Sequence, residues 1–179
     1  MVSSLKPARR IRDPLTFLRL LRHLFTDRWA VKRAFSAAAL RRIGETITDG
    51  ERRHMGELEF AVEASLPFGV LLSGRSSKDR AIDWFGRLRV WDTAHNSGIL
   101  IYVLLADRTV EIVADRGIHA RVGDAGWQAI AADMQRAFAD GRFEDGANAG
   151  LVAASELLAR HFPATGENPN ELPDEPVII

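Results

Sequence analysis

A continuous apolar run, ILIYVLLA beginning at Ile99, most constrains what this chain can fold into. Such a run is typical of a strand that is covered on both faces and therefore lies near the middle of a sheet. The turn sequence DRT follows, and VEIVAD then alternates Val110, Ile112 and Ala114 against Glu111. The stretch 99–115 therefore predicts a β-hairpin.

An earlier segment, GELEFAVEASL, alternates in the way that strands do. One face carries Leu58, Phe60 and Val62, and the other carries Glu57, Glu59 and Glu63. A glutamate face predicts contact with water, so we expect an edge-like or half-covered strand. SSKDRAIDWFGRLRVW then has Ser76 or Ser77 as N-cap and apolar residues at helical spacing. A strand followed by a crossover helix predicts a parallel pairing with the strand at 99.

Four further helices are predicted. The first, at 13–26, has Asp13 as N-cap and Pro14 at the first helical position, and it is amphipathic and basic. The second begins after Ser36 and ends near His54. Two helices follow the hairpin, one with Asp124 near its start and one over about 144–161. The order of elements predicts an α/β fold, a three-layer α/β/α sandwich with a small mixed β-sheet of about four strands.

The ends of the chain differ from its middle in composition. Residues 1–42 contain eleven Lys or Arg and two Asp, a net charge of +9 in a chain whose total is zero. The last residues, 164–179, are polar, acidic and contain several prolines. We therefore divide the chain into a basic extension with an amphipathic helix at 1–33, a domain at 34–163 and an acidic disordered tail at 164–179.

Composition limits the class of protein. With 46% hydrophobic and 27% charged residues, the chain is typical of globular proteins, and its lack of cysteine excludes disulfides and thiolate sites. No apolar run approaches the roughly 20 residues that span a bilayer. None has the form of a secretory signal. We expect a cytoplasmic protein, with peripheral attachment at the inner face of the membrane left open.

Hairpin geometry predicts a polar cluster, since the start of its first strand lies beside the end of its second. This end carries the candidate site residues Asp92, His95, Asn96, Asp115 and Arg116. The oxygen-rich side chains of Asp92, Asp115 and Glu57 are of the kind that Ca²⁺ or Mg²⁺ prefers, so either ion is a candidate cofactor. The alternative is a plain strand exit in which Gly117 adopts a positive φ. Asp107 and Arg108 lie at the opposite end, where the simplest interpretation is a polar turn.

Several of these segments resemble one known family. NSGILIYVLLADRTVEIVADRGI, the tryptophan-containing helix after it and AFADGRFEDGANAGL resemble the TPM domain family, named for thylakoid-lumen, photosystem-repair and acetylcholine-receptor-modulator members. ERRHMGELEFAVE resembles the start of that family's first strand, so the resemblance covers roughly 36–163. It implies the same α/β/α sandwich.

The resemblance also bears on function. Some members are weak acid phosphatases, others are membrane-associated accessory or regulatory proteins, and short bacterial members resemble proteins that act alongside LemA-type membrane partners. A motif that often reads Asp-Asn-Gly is here Asn96-Ser97-Gly98, without the carboxylate. The sequence contains no phosphate-binding loop, nucleophile elbow or His-Glu-x-x-His pair, so no catalytic residue is assigned.

Three functions remain at this point. We favour a non-enzymatic TPM-type accessory or binding module that works with a membrane-associated partner or an anionic membrane surface. The alternative is a weak divalent-metal-dependent phosphatase, in which Asp115 or Asp92 holds the cation and Arg116 neutralises phosphate charge. A nucleic-acid binder ranks last, because the basic residues lie on a leucine-rich helix without interleaved aromatic residues.

The first helix supplies the predicted contact surface. Its membrane or partner contacts are Phe17, Leu21 and Leu24 on the apolar face and Arg19 and Arg22 on the polar face. We expect an attachment element outside the central sandwich. The alternative is that the same apolar face packs against the protein's own domain.

Overall fold

A computed structural model describes residues 14–165 and 170–179 of the 179-residue chain, with side chains from residue 17 onward. These residues form seven helices and four strands. In chain order they are α1 (Pro14–Phe25), α2 (Arg28–Ala34), α3 (Ala37–Glu51), β1 (Leu58–Glu63), α4 (Phe68–Leu72), α5 (Ser77–Arg87), β2 (Ile99–Leu104), β3 (Thr109–Ala114), α6 (Arg116–Ala139), α7 (Phe143–His161) and β4 (Val177–Ile178).

The four strands form one mixed sheet in the order β3-β2-β1-β4. β1 runs parallel to β2 and to β4, while β2 and β3 form an antiparallel hairpin. Every residue of β2 is buried, as its continuous apolar sequence predicts. The α/β class, the mixed sheet, the hairpin and the parallel pairing are therefore confirmed.

Two apolar clusters lie on the two faces of the sheet. The larger one joins α3, α6 and α7 to alternate residues of β1 and β2, such as Phe60 and Ile101. The smaller one joins α5 to the residues between them, such as Ala61 and Tyr102. The sheet is thus the middle of three layers, because alternate side chains of a strand point to opposite faces.

Local sequence signals account for the helix starts. The Ser36 hydroxyl accepts the backbone N–H of Ala39 at the start of α3. At the start of α5, Ser76 and Asp79 form a reciprocal capping box. α6 begins before the predicted position and breaks at Gly123, whose φ is 73°, so that Asp124 starts its second half. The predicted cap Asp13 lies outside the described residues.

The prediction that one face of β1 is wet is wrong. Glu57, Glu59 and Glu63 are all buried, at 3% exposure or less. Alternating polarity usually marks a half-exposed strand, but α5 and the C-terminal segment cover the glutamate face. Pairing with β4 on the side away from β2 also makes β1 an inner strand. Glu63 also has an internal partner, since Arg80 of α5 donates to its carboxylate at 2.7 and 2.9 Å.

The prediction of a disordered tail is wrong for residues 170–179. Ala61 and Val62 of β1 pair with Val177 and Ile178 of β4. Ile179 donates its backbone N–H to the Val62 carbonyl at 2.9 Å and packs against the smaller apolar cluster. A short apolar end therefore orders a segment whose average composition is typical of disorder, while residues 166–169 lie outside the described part.

The boundary at residue 33 does not separate an independent extension from the domain. Val31 of α2 is 2% exposed and belongs to the larger apolar cluster together with Phe35. Phe35 makes edge contacts with the rings of Phe60, Phe138 and Phe143. α2 is consequently part of the domain core.

Candidate functional site

The predicted polar end of the hairpin is tightly connected. Asp115 donates its backbone N–H to Gly98 at 2.8 Å, and Gly117 donates to the Asn96 carbonyl at 3.0 Å. The Arg116 guanidinium donates from Nε to Asn96 Oδ1 at 3.0 Å. The structure therefore brings Asn96, Asp115 and Arg116 together at one end of the sheet.

Two backbone features hold this arrangement. Asp115 is the N-cap of α6, and its Oδ1 accepts the Arg116 N–H at 2.6 Å. Asn96 has a φ of 53°, a left-handed conformation that Asn tolerates. The predicted positive φ at Gly117 is wrong: the positive φ lies at Asn96, and Gly117 serves a close approach, since a Cβ there would stand 2.5 Å from the Asn96 carbonyl oxygen.

The other candidate residues do not join the cluster through their side chains. Asp92 is exposed and pairs with Arg89. The Glu57 carboxylate faces the C-terminal segment and accepts the backbone N–H groups of Glu171 at 3.3 Å and Leu172 at 3.2 Å. His95 is exposed, although its carbonyl lies against Gly117.

Asp115 Oδ2 is the oxygen of this cluster that remains available to a ligand, because it is buried and has no hydrogen-bond partner among the described residues. Asn96 Oδ1 already accepts from Arg116. Within the described ranges, no three His, Asp or Glu side chains are placed to share a metal ion. Ca²⁺ takes six to eight oxygen ligands, so a hard cation at Asp115 Oδ2 would need water or a bound phosphate to complete its ligand set.

A second polar site lies at the opposite end of the sheet, where the sequence predicts only a polar turn. Asp107 accepts from Arg19 Nη2 at 2.7 Å and pairs with His23 Nε2 at 3.0 Å. Burial alone would raise the pKa of the Asp107 carboxyl, but hydrogen bonds from His23 and Arg19 hold that pKa well below its usual range. The basic face of α1 was the sequence signal for this site, but no nearby residue indicates that its partner is Asp107.

α1 is consequently attached by its polar face. His23 is 5% exposed and Arg19 is half-buried, whereas Phe17 and Leu24 are 52% and 72% exposed. Of the five predicted contact residues, Phe17, Leu24 and Arg22 face solvent, Leu21 is partly buried, and Arg19 points inward to Asp107.

Like α1, α2 and α4 carry exposed apolar side chains. Leu66 and Arg75, which flank α4, both bond to α1, through His23 at 2.9 Å and Arg19 at 3.4 Å. The segment that contains α4 is therefore bonded to α1 on both sides of α4. We call the exposed apolar side chains of α1, α2 and α4 the outer apolar face: Phe17, Leu18, Leu24, Phe25, Trp29, Phe68 and Leu72.

A third group consists of carboxyls buried under the C-terminal segment. Burial raises the pKa of Glu51 to about 9, of Glu57 to about 7 and of Glu59 to about 8. Glu51 accepts the backbone N–H of Leu58 at 2.9 Å. Glu59 Oε1 has no hydrogen-bond partner in the described part of the chain.

Comparison with known proteins agrees with this architecture. Residues 31–157 match the TPM domain family. The chain belongs to the TPM domain family. No curated protein matches this TPM chain. Across residues 14–165 and 170–179, no helix combines the length and apolarity needed to cross a membrane.

Solved structures give a similar result. The NMR structure of the BA42 protein from the psychrophilic bacterium Bizionia argentinensis is 30% identical, with a TM-score of 0.71, over 81% of this chain and 95% of that one. The N-terminal domain of a P. gingivalis protein is 18% identical, with a TM-score of 0.59, over 74% of this chain and 83% of that one. The second likeness shows the fold alone, and the first also supports the family.

Proposed function

We propose that this TPM chain is a non-enzymatic accessory module that attaches to the cytoplasmic face of a membrane through its outer apolar face. One observation carries the proposal: α1 binds the domain with its polar side and leaves Phe17, Leu24 and Phe25 exposed. An amphipathic helix normally does the reverse. Contiguous exposed apolar surface commonly marks contact with a partner or a membrane.

The charges around this face favour an anionic lipid surface as its occupant. Arg22, Arg28, Lys32 and Arg33 are exposed on α1 and α2. The acidic residue among them, Asp27, is used as the N-cap of α2. Each basic group near an anionic membrane contributes about 1 kcal/mol, so four of them supplement the insertion of apolar side chains.

The aromatic residues of the outer apolar face also favour contact with a lipid surface. Trp29 is 64% exposed, and the Lys32 ammonium lies 4.9 Å from its ring centroid. Tryptophan with flanking cations is typical of the membrane–water interface. The resemblance to short bacterial TPM proteins adds a membrane-associated protein partner of the LemA type, which this attachment would bring within reach.

Vesicle flotation tests the lipid contact. We expect the full chain to float with vesicles containing phosphatidylglycerol at low salt and not with phosphatidylcholine alone. Combined Phe17→Ser and Leu24→Ser should reduce bound protein at least tenfold, because both side chains are exposed and lie outside the core. Val152→Ser is the matched control, since Val152 is an exposed apolar residue on α7.

A charge test separates lipid from protein contact. Arg28→Glu with Lys32→Glu should abolish flotation, while Arg160→Glu on α7 should not. If the unaltered chain ignores anionic vesicles, the lipid contact is wrong. If the serine variants float as well as the control, the outer apolar face is not the contact.

The second candidate is a weak divalent-metal-dependent phosphatase, favoured by two features of the hairpin cluster: Asp115 Oδ2 has no hydrogen-bond partner among the described residues, and the Arg116 guanidinium binds Asn96 in the same cluster. No activated nucleophile accompanies them, so we expect slow hydrolysis of p-nitrophenyl phosphate that requires added Mg²⁺ or Ca²⁺. Asp115→Asn should abolish it, and Asp124→Asn, an exposed carboxylate on the same helix, should not. Activity that survives a chelator and Asp115→Asn would count against this candidate.

A further inference from the structure

β3 is an edge strand whose outer side has no strand partner among the described residues. In an antiparallel pair, alternate residues direct both backbone groups toward the neighbouring strand. The Asp115 N–H bonds the Gly98 carbonyl, so its backbone groups point toward β2. Val113 and Glu111, which pair with Leu100 and Tyr102, lie two and four residues before Asp115, so their backbone groups also point toward β2. The backbone groups of Val110, Ile112 and Ala114 therefore point outward.

A groove of about 510 Å³ runs along this edge. α5 and α6 both contact β3, and they lie on opposite faces of the sheet because Val113 packs in the smaller apolar cluster and Ile112 in the larger one. The floor is residues 110–114. The walls include Lys78 and Ile82 of α5 and Trp127, Ala131 and Gln135 of α6.

Two polar groups in the groove indicate what it can bind. Gln135 Nε2 donates to the Val110 carbonyl at 3.2 Å, which shows that this outward carbonyl is accessible to a donor. The indole N–H of Trp127 is buried and has no acceptor in the described part of the chain. The groove thus offers main-chain donors and acceptors at strand spacing, together with one side-chain donor that lacks a partner.

We propose that this groove binds a peptide in extended conformation, which pairs with β3 as a fifth strand. Main-chain hydrogen bonds supply affinity in this mode of recognition, and side chains that alternate between the two faces supply specificity. A six-residue strand offers roughly 20 Å of pairing length at about 3.3 Å per residue. Peptide binding in the groove does not depend on lipid contact at the outer apolar face, since no residue of that face lines the groove.

The edge is built for a single strand rather than for a second sheet. Exposed edge strands usually carry lysine, proline or a bulge that prevents pairing. TVEIVA has neither lysine nor proline, and the carboxylate of Glu111 is bound to the Ser77 hydroxyl at 2.5 Å. Protection comes from α5 and α6 on the two sides, and a second copy of the chain would bring its own two helices into the same gap.

The test begins with random seven-residue peptides displayed on phage and selected against the full chain. The strongest binder is synthesised and titrated into ¹⁵N-labelled protein. We expect the amides of Val110, Ile112 and Ala114 to become protected from hydrogen exchange, while those of Glu111 and Val113, already bonded to β2, change little. Contact through side chains alone does not produce this alternation.

Single substitutions then test which groups of the groove bind the peptide. Trp127→Phe removes the indole N–H and should weaken peptide binding roughly fivefold, the value of one hydrogen bond. Trp84→Phe is the matched control, because its indole N–H also lacks a partner among the described residues but Trp84 does not line the groove. Gln135→Ala frees the Val110 carbonyl and should strengthen binding.

Three results would overturn the proposal. The first is a selection that yields no peptide with a Kd tighter than about 1 mM. The second is a bound peptide that leaves the amides of Val110, Ile112 and Ala114 unprotected. The third is a dimer by light scattering whose interface protects those same amides, which would assign the edge to a second copy of the chain.

Discussion

His23 and Asp107 join the first helix to the turn between β2 and β3, with His23 Nε2 3.0 Å from Asp107 Oδ1. His23 Nδ1 accepts the backbone N–H of Leu66 at 2.9 Å, so the proton of a neutral imidazole must lie on Nε2. Arg19 donates to the same carboxylate. One acidic side chain thus fixes the orientation of α1 and with it the outer apolar face.

Asp107→Asn should therefore loosen α1. The substitution weakens charge-assisted hydrogen bonds from the buried His23 and the half-buried Arg19, which costs about 2 kcal/mol. We expect this loss in the free energy of unfolding by urea, with increased proteolysis near α1. Asp133→Asn is the control, because Asp133 pairs with Arg136 on the exposed surface and should change stability by less than about 0.5 kcal/mol. Equal losses in both variants would contradict the anchoring role.

The same carboxylate predicts an acid-dependent step. Its pKa in the folded protein is depressed below the ordinary value of about 4. A depressed pKa contributes stability that is present above the unfolded-state pKa and is lost as the pH falls through the folded-state value. We expect the stability difference between the unaltered chain and Asp107→Asn to shrink below about pH 4, measured by urea unfolding at a series of pH values. A constant difference down to pH 2 would contradict this linkage.

Glu63 and Arg80 predict a larger effect in the core. Both side chains are almost fully buried, and the Tyr102 hydroxyl donates to Glu63 Oε2 at 2.5 Å. Arg80→Met leaves a buried carboxylate without its cation and should destabilise the protein by about 4 kcal/mol. Adding Glu63→Leu should recover much of the loss, measured by thermal unfolding. A double variant as unstable as Arg80→Met would show that lost packing, not charge, dominates.

The sequence predicts elements with local signals better than those defined by distant partners. Ser76 caps α5 and the run from Ile99 forms a central strand because both signals act within a few residues. The alternation wrongly predicts that Glu57 and Glu63 face solvent, because their partners, the backbone of 171–172 and Arg80, are remote in sequence. Alternation indicates two chemically different faces and does not say which partner each face meets.

The candidate site shows the same limit. Hairpin register brought Asn96 beside Arg116 as predicted by strand pairing. The side chains of Asp92 and Glu57 do not join the cluster. Asp92 pairs with Arg89, and Glu57 accepts the backbone N–H of Glu171 in the C-terminal segment. For α1, an amphipathic pattern gives the same signal whichever face is inward. The contacts of Arg19 and His23 with Asp107, Arg75 and Leu66 distinguish the two orientations.

Gly117 predicts a steric effect at the hairpin end. A Cβ there would lie 2.5 and 2.9 Å from the carbonyl oxygens of Asn96 and His95. Backbone atoms cannot move aside cheaply, so Gly117→Ala should destabilise the protein by about 2 kcal/mol. Gly86→Ala on α5 meets no atom within 4 Å and should be neutral or stabilising by up to about 1 kcal/mol. Loss of the Asn96–Gly117 contact is checked by exchange of the Gly117 amide. Unchanged stability in Gly117→Ala would contradict the close approach.

The carboxyls beneath the C-terminal segment predict a second pH dependence, opposite in sign to that of Asp107. Because burial raises the pKa of Glu59 from 4.5 to about 8, its protonated form stabilises the fold. That contribution is fully present below about pH 4.5 and is lost as the pH rises through about 8.

Glu59→Gln should abolish this part of the pH dependence. The amide keeps the shape of the side chain, cannot ionise, and replaces a carboxyl whose Oε1 has no hydrogen-bond partner among the described residues. Above pH 8 we expect the variant to be more stable than the unaltered chain by at least about 1 kcal/mol, the value of one pKa unit, in urea unfolding from pH 5 to 9. Glu156→Gln, an exposed control on α7, should follow the unaltered chain. If Glu59→Gln instead loses stability equally at every pH, the carboxylate is needed in its charged form and water or a cation must reach it.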